Sequence, residues 1–92
     1  MIKHIVVWQM RESASDEQKQ EMKQRLEALI SRIPQLLKIE VGIDPANETM
    51  SLYSEFTSKE TLDAYQAHPA HQEVVAFVRK LTAARSVCDY LT

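Results

Sequence analysis

Residues 2–10 alternate in a way that predicts a β-strand with apolar side chains on both of its faces. One face carries Ile2, His4, Val6, Trp8 and Met10, and the other carries Lys3, Ile5, Val7 and Gln9. A strand of this kind belongs in a sheet that is covered on both sides. The helices of a 92-residue chain can cover only one side. We therefore expect a second subunit to cover the other.

A polar connection at residues 11–14 leads into an amphipathic pattern that predicts a long helix ending at Ile33. Ser15 and Gln18 fit a capping box at its start, in which each side chain bonds the other residue's backbone N–H. Pro34 ends the helix, because the residue before a proline is disfavoured in the α region. At 1.5 Å per residue the helix would be about 27 Å long. Its apolar stripe consists of Met22, Leu26, Leu29, Ile30 and Ile33.

The remaining pattern predicts three more strands and a pair of helices. Alternation predicts a second strand at residues 36–44, with Leu37 and Val41 on its apolar face, and turn residues join it to a third strand at 50–57. Two helices, at 58–67 and from 69 to about 83, precede a fourth strand at 85–91. This order is the split βαβ pattern of the α+β, ferredoxin-like fold, a four-stranded antiparallel sheet with its helices on one face. We expect residues 1–92 to form one domain.

Composition excludes several classes of protein. Eleven basic residues stand against 13 acidic ones, without a Lys/Arg cluster, so nucleic acid is not an expected partner. Gly42 is the only glycine, which rules out a glycine-rich phosphate loop. Cys88 is the only cysteine, so no internal disulfide can form, and we expect a half-buried strand residue. No stretch approaches a membrane span or has the order of a secretory signal, so we expect a cytoplasmic protein.

Residues able to do chemistry are concentrated in the segment 64–71. Pro69 has the φ of a first helical turn, and this places His71 in that turn. Valines stand three, four and seven residues after His71, so its imidazole shares the apolar stripe and faces the core. Tyr65 faces inward on the preceding helix. His68 stands before the proline at an N-cap-like position, where it is expected to bind backbone or water.

These residues resemble the stress-responsive dimeric α/β-barrel (Dabb) family over nearly the whole chain. The matching segments are Lys3-His4-Ile5-Val6-Val7, Ile33-Pro34, Glu40-Val41-Gly42, Ser54-Glu55-Phe56, Tyr65-Gln66-Ala67-His68-Pro69-Ala70-His71 and Cys88-Asp89-Tyr90. The His-Pro-Ala-His segment is the most specific of these. The resemblance implies a homodimer in which the open faces of two four-stranded sheets meet to form a barrel, with the helices outside.

In plant polyketide-cyclase members of this family, residues matching His4, Tyr65 and His71 line a cavity and catalyse an aldol-type ring closure. The resemblance implies that His71 acts as general base, that Tyr65 donates to an enolate oxygen, and that His4 orients His71 or binds the carbonyl. The alternative for each is structural, because a buried histidine or tyrosine can simply tie the helices to the sheet. Leu26 replaces a second tyrosine of those enzymes, so we expect a different substrate.

Three hypotheses for function follow. The first is an apolar cavity walled by His4, Trp8, Tyr65 and His71, with His68 as a further binding candidate. It would bind a small aromatic or polyketide-like carbonyl compound, with or without converting it by cofactor-free cyclase- or lyase-like proton transfer. The second is a non-catalytic, stress-related structural protein that acts through its stable homodimer. The third, by analogy of fold alone, is a cofactor-independent monooxygenase.

Two further expectations concern charged and metal-binding groups. His68 and His71 have no third ligand at a suitable spacing, so no metal site is expected. Asp89 or Glu55 could be a carboxylate that orients a histidine, but we favour the interpretation of both as surface or barrel-lining charges.

Overall fold

The computed structural model describes residues 1–92 and has the predicted ferredoxin-like architecture. The elements are β1 (Ile2–Met10), α1 (Asp16–Glu27), a 3-10 turn (Ala28–Ser31), β2 (Lys38–Asp44), β3 (Thr49–Phe56), α2 (Lys59–Ala67), α3 (Pro69–Leu81) and β4 (Thr82–Leu91). The strands form one antiparallel sheet in the order β2-β3-β1-β4. The α+β split βαβ prediction is therefore confirmed. None of the helices has the length and apolar character needed to cross a bilayer.

Strand β1 divides its side chains between two faces as predicted. The face toward the helices is buried and carries Ile2, His4, Val6, Trp8 and Met10. On the opposite face Val7 is 43 % exposed, because the helices cover only one side of the sheet. The first histidine of the candidate site therefore points into the core from a central strand.

Local capping sets where each helix begins. The Ser15 side chain accepts a hydrogen bond from the backbone N of Gln18 at 3.1 Å, and the Gln18 side chain accepts one from the Ser15 backbone at 2.9 Å. Ser58 caps α2 in the same way. Helix α3 begins with Pro69, and His68 is its N-cap. These caps orient α2 and α3, the two helices that carry the candidate tyrosine and the second histidine.

The first helix is shorter than predicted. It ends at Glu27 and continues as the 3-10 turn instead of running as an α-helix to Ile33. A 3-10 turn has about 3.0 residues per turn instead of 3.6, so the apolar stripe shifts around the axis. Leu29 is fully buried, whereas Ile30 is 44 % exposed. The prediction that Ile30 belongs to the buried stripe is wrong.

The second strand also begins later than predicted. It starts at Lys38, and Leu37, placed on the apolar face by alternation, is 47 % exposed. Leu36 is buried in its place. The residues before Lys38 belong to the connection after the 3-10 turn, so the alternation of the strand does not extend to them.

Helix α3 ends at Leu81 and passes directly into β4. The helix is therefore about two residues shorter than predicted, and the strand begins at Thr82 rather than at residue 85. The backbone N of Arg11 donates to the carbonyl O of Leu81 at 2.9 Å, which joins the ends of β1 and α3. From Ala83 onward every side chain of β4 is exposed, because this edge strand has no helix over it. The prediction that Cys88 is half buried is consequently wrong for this chain.

Candidate active site

A cavity of about 580 Å³ lies between the sheet and the helices, beside the β1–β4 pair. Sixteen residues line it, and nine of them are hydrophobic. Most of the 16 belong to β1, α2, α3 and the start of β4. His4, Trp8, Tyr65 and His71 all line it, so the structure brings together the four residues predicted to wall one cavity. A volume of this size falls in the range of small-molecule sites.

His71 presents one free ring nitrogen in this cavity. Its Nδ1 lies 3.2 Å from the carbonyl O of Gln66, so Nδ1 carries the proton and donates it. Nε2 then holds the lone pair and has no hydrogen-bond partner in the protein. Burial lowers the pKa of His71, which outweighs the opposite effect of the hydrogen bond to Gln66, and the nearby charge of Arg85 lowers it further. The ring is therefore neutral at physiological pH, the state that a general base requires.

Tyr65 lies directly against His71, with 4.5 Å between the ring centroids. Phe56 supports the tyrosine ring from another side at 5.0 Å. Burial raises the pKa of Tyr65 to about 12, so the hydroxyl keeps its proton at neutral pH. The hydroxyl makes no hydrogen bond within the protein, and Gln35 Oε1 is the one buried side-chain polar atom shut off without a partner. Tyr65 lines the cavity with 1 % of its surface exposed, so its hydroxyl is a donor without a protein partner at the cavity wall.

His4 is held by a carboxylate on the neighbouring strand. Its Nδ1 lies 2.5 Å from Oδ1 of Asp89. The two residues are direct partners in the β1–β4 register, and such partners share a face of the sheet. Asp89 is thus an exposed charge that also orients His4, which is the alternative that the sequence interpretation ranked second. Glu55, by contrast, accepts a hydrogen bond from the Tyr53 hydroxyl on the open face of the sheet.

The other candidates occupy different positions. Leu26, the residue that matches the second tyrosine of the plant enzymes, lines the cavity. His68 lies outside the lining, and its Nδ1 accepts a hydrogen bond from the backbone N of Ala70 at 3.0 Å, which confirms the expected bond to backbone. The structure therefore does not bring His68 to the cavity, where it was predicted to bind substrate. No group of three or more His, Cys, Asp or Glu side chains is arranged to share a metal ion.

Sequence reasoning missed Arg79 and Arg85 at this site and ranked the orienting role of Asp89 second. Asp89 orients His4, and Arg79 and Arg85 line the cavity. A helical count would have found Arg79, which stands eight residues after His71 on the same helix. Asp89 and Arg85 could be found only from the register of β4 against β1.

Comparison with protein families identifies the chain. The family model described as stress responsive A/B barrel domain (Dabb) matches residues 2–92. This protein belongs to the Dabb family. The resemblance seen in the sequence is thereby confirmed.

Solved structures agree with the Dabb assignment. A dimeric, ferredoxin-like protein of unknown function from Bacteroides fragilis is 28 % identical over 99 % of this chain and 95 % of its own, with a TM-score of 0.83. A protein from Arabidopsis thaliana is 26 % identical over 100 % and 95 % of the two chains, with a TM-score of 0.90. A hydroxynitrile lyase from Passiflora edulis, 20 % identical over 99 % and 92 %, has a TM-score of 0.87 and shares the fold. No protein of curated function matches the chain in sequence.

Proposed function

We propose that this Dabb protein binds a small carbonyl compound in the cavity and removes a proton from the carbon next to the carbonyl group. One observation carries the proposal. The free Nε2 of neutral His71 and the unpartnered hydroxyl of Tyr65 belong to rings 4.5 Å apart in the same cavity. A base and a hydrogen-bond donor in contact are the two groups that enolate formation needs.

The step is a cofactor-free proton transfer. His71 Nε2 takes the proton from the α-carbon, and the C–H electron pair becomes part of the enolate. Negative charge then develops on the carbonyl oxygen, to which the Tyr65 hydroxyl donates. Because the pKa of Tyr65 is raised, the hydroxyl donates a hydrogen bond and does not ionise. The imidazolium of His71 afterwards returns its proton to the product, whether the enolate is reprotonated or attacks a second carbonyl in a cyclase-like reaction.

His4 and Trp8 would position the substrate. Asp89 accepts from Nδ1 of His4 and thereby fixes its ring, so Nε2 is the nitrogen left for a polar group of the ligand. Trp8 supplies a flat apolar wall, which suits an aromatic or extended conjugated compound.

We also propose that the working unit is a homodimer joined through the open face of the sheet. Val7 and Tyr90 are 43 % and 41 % exposed on that face, which no helix covers. The similar proteins from Bacteroides fragilis and Thermobifida fusca are described as dimeric. Analytical ultracentrifugation at micromolar concentration tests this proposal. Val7→Lys should give a single-copy species, and a wild-type protein that is already a folded single copy would refute it.

Hydrogen–deuterium exchange tests the chemistry. Acetophenone and butyrophenone are incubated in D₂O with the protein, and loss of their α-proton NMR signals is followed. In His71→Asn the amide nitrogen can still donate to Gln66 O, but no base remains, so we expect the protein-dependent exchange rate to fall by about 10²- to 10⁴-fold. The matched control is His68→Asn, which removes an imidazole outside the cavity and keeps a good helix cap.

The outcomes separate catalysis from a structural role. Exchange that depends on His71 but not on His68 supports the proposal. Full exchange activity in His71→Asn would contradict it. If the wild-type protein does not accelerate exchange and His71→Asn mainly lowers the melting temperature, the non-catalytic structural hypothesis is favoured.

A further inference from the structure

Two arginines line the cavity without a role in the proton transfer. Arg79 extends from α3 and Arg85 from β4. Both are exposed residues, and neither guanidinium takes part in an ion pair or a side-chain hydrogen bond within the protein. Of the three arginines outside the lining, Arg25 and Arg32 are paired with glutamates and Arg11 is unpaired. The cavity lining therefore contains two guanidinium groups that have no carboxylate partner in the protein.

The backbone positions of the arginines lie toward one end of the cavity and those of the histidines toward the other, although the charge of the Arg85 side chain is near enough to His71 to lower its pKa. In the β1–β4 register Arg85 is opposite Trp8, and Asp89 is opposite His4. Four residues along a strand span about 13 Å. The C-terminal ends of β1 and α3 are adjacent, because the backbone N of Arg11 donates to the carbonyl O of Leu81.

Helix α3 likewise separates its arginine from its histidine along the cavity. Arg79 follows His71 by eight residues, which is about 12 Å along the helix axis. Val75 and Val78 line the cavity on the stretch of helix between them. A ligand that lies along the cavity would thus meet the histidines, an apolar wall and the two guanidinium groups, and the charge of Arg85 acts as far as His71.

The charge of the lining differs in sign from the charge of the chain. The 16 lining residues include two arginines and no aspartate or glutamate, although the chain has 13 acidic residues and a net charge of −2. A guanidinium group beside an apolar wall binds a carboxylate in a bidentate manner, with both partners' charges compensated.

We propose that the cavity selects carbonyl compounds that also carry a carboxylate. Arg79 and Arg85 bind the carboxylate at one end, and the carbonyl group lies at His71 and Tyr65. The placement of the carbonyl rests on the function proposed above, whereas the binding of the carboxylate can be measured independently of any reaction.

The test compares two probes that differ only in charge. Isothermal titration calorimetry is done with 4-benzoylbutyrate and with its primary amide, which replaces the carboxylate by a neutral group of similar size. We expect wild-type protein to bind the carboxylate about tenfold more tightly than the amide. In Arg79→Gln/Arg85→Gln this ratio should fall to about one, with little change in the affinity for the amide. The ratio should also fall with added salt in wild-type protein.

A matched variant controls for overall charge. Arg11→Gln/Lys80→Gln removes two positive charges from exposed residues outside the lining and should leave the ratio unchanged. An equal fall of the ratio in this control would overturn the proposal. Failure of wild-type protein to bind the carboxylate, or equal affinities for the two probes, would also overturn it.

The two proposals can fail separately. Exchange of neutral ketones that depends on His71, together with no preference for the carboxylate, refutes the selection of carboxylates alone. A preference for the carboxylate that depends on the two arginines, in a protein without exchange activity, refutes the proton transfer and leaves the anion site standing.

Discussion

Replacing Asp89 by alanine should destabilise the fold and release the ring of His4. The imidazole is almost fully buried, with 4 % of its side chain exposed, so Nδ1–H would lose its acceptor in a place that water reaches poorly. Leaving a buried donor without a partner costs about 1–3 kcal/mol. Because the Asp89 side chain is 40 % exposed, water can partly replace the carboxylate, and we expect the lower end, about 1 kcal/mol.

A change of this size is readily measured. For a domain of this length 1 kcal/mol corresponds to a melting-temperature shift of about 4–8 °C. Asp89→Asn keeps an oxygen acceptor and loses only the charge, so its shift should be less than half as large. Thermal unfolding is followed by circular dichroism at one fixed protein concentration, because assembly makes the melting temperature depend on concentration. Long-range ¹H–¹⁵N NMR reports which nitrogen of His4 carries the proton.

The control removes a carboxylate of the other edge strand. Glu40 is exposed on β2 and has no hydrogen bond or ion pair, so Glu40→Ala should change the stability much less. The reasoning is refuted if Asp89→Ala melts at the wild-type temperature and His4 keeps its Nδ1–H tautomer. It is also refuted if Glu40→Ala costs as much as Asp89→Ala.

Three further predictions concern the residues around the cavity. Tyr65→Phe removes a hydroxyl that has no partner in the protein, so the free energy of unfolding should change by less than about 0.5 kcal/mol. Loss of this donor should slow the exchange reaction by about 10²- to 10³-fold, and normal exchange in this variant would exclude it as the donor. Because the pKa of His71 is lowered from 6.5, exchange should be constant above that pH and decline only at lower pH, where the imidazole gains its proton. Between the lowered pKa and 6.5 the folded state then binds fewer protons than the unfolded state. The free energy of unfolding should therefore decrease as the pH is lowered through that window, and it should decrease less in His71→Asn. His68→Ala should cost about 1 kcal/mol by urea unfolding and His68→Asn much less, since only the second keeps a capping acceptor; equal costs would argue against a capping role.

Much of the fold could be predicted because its signals are local. Period-two alternation identified β1 and its two faces. The capping box at Ser15 predicted the start of α1, and Pro69 predicted the start of α3. Where a choice depends on distant packing the prediction was wrong. Whether residues 28–31 continue as an α-helix or tighten to a 3-10 turn decides which of Leu29 and Ile30 is buried, and both conformations are compatible with the local sequence.

The sequence alone determined that His71 lies in a first helical turn and faces inward with Tyr65, because a proline and a helical period act over a few residues. Only the tertiary structure decided that Asp89 holds His4 and that Arg85 lines the same cavity. These contacts join residues about 80 positions apart in the chain, and the register of β4 against β1 sets them. A shift of that register by one residue would turn every side chain of β4 to the opposite face, so the composition of the strand cannot reveal which of its charges meets the site.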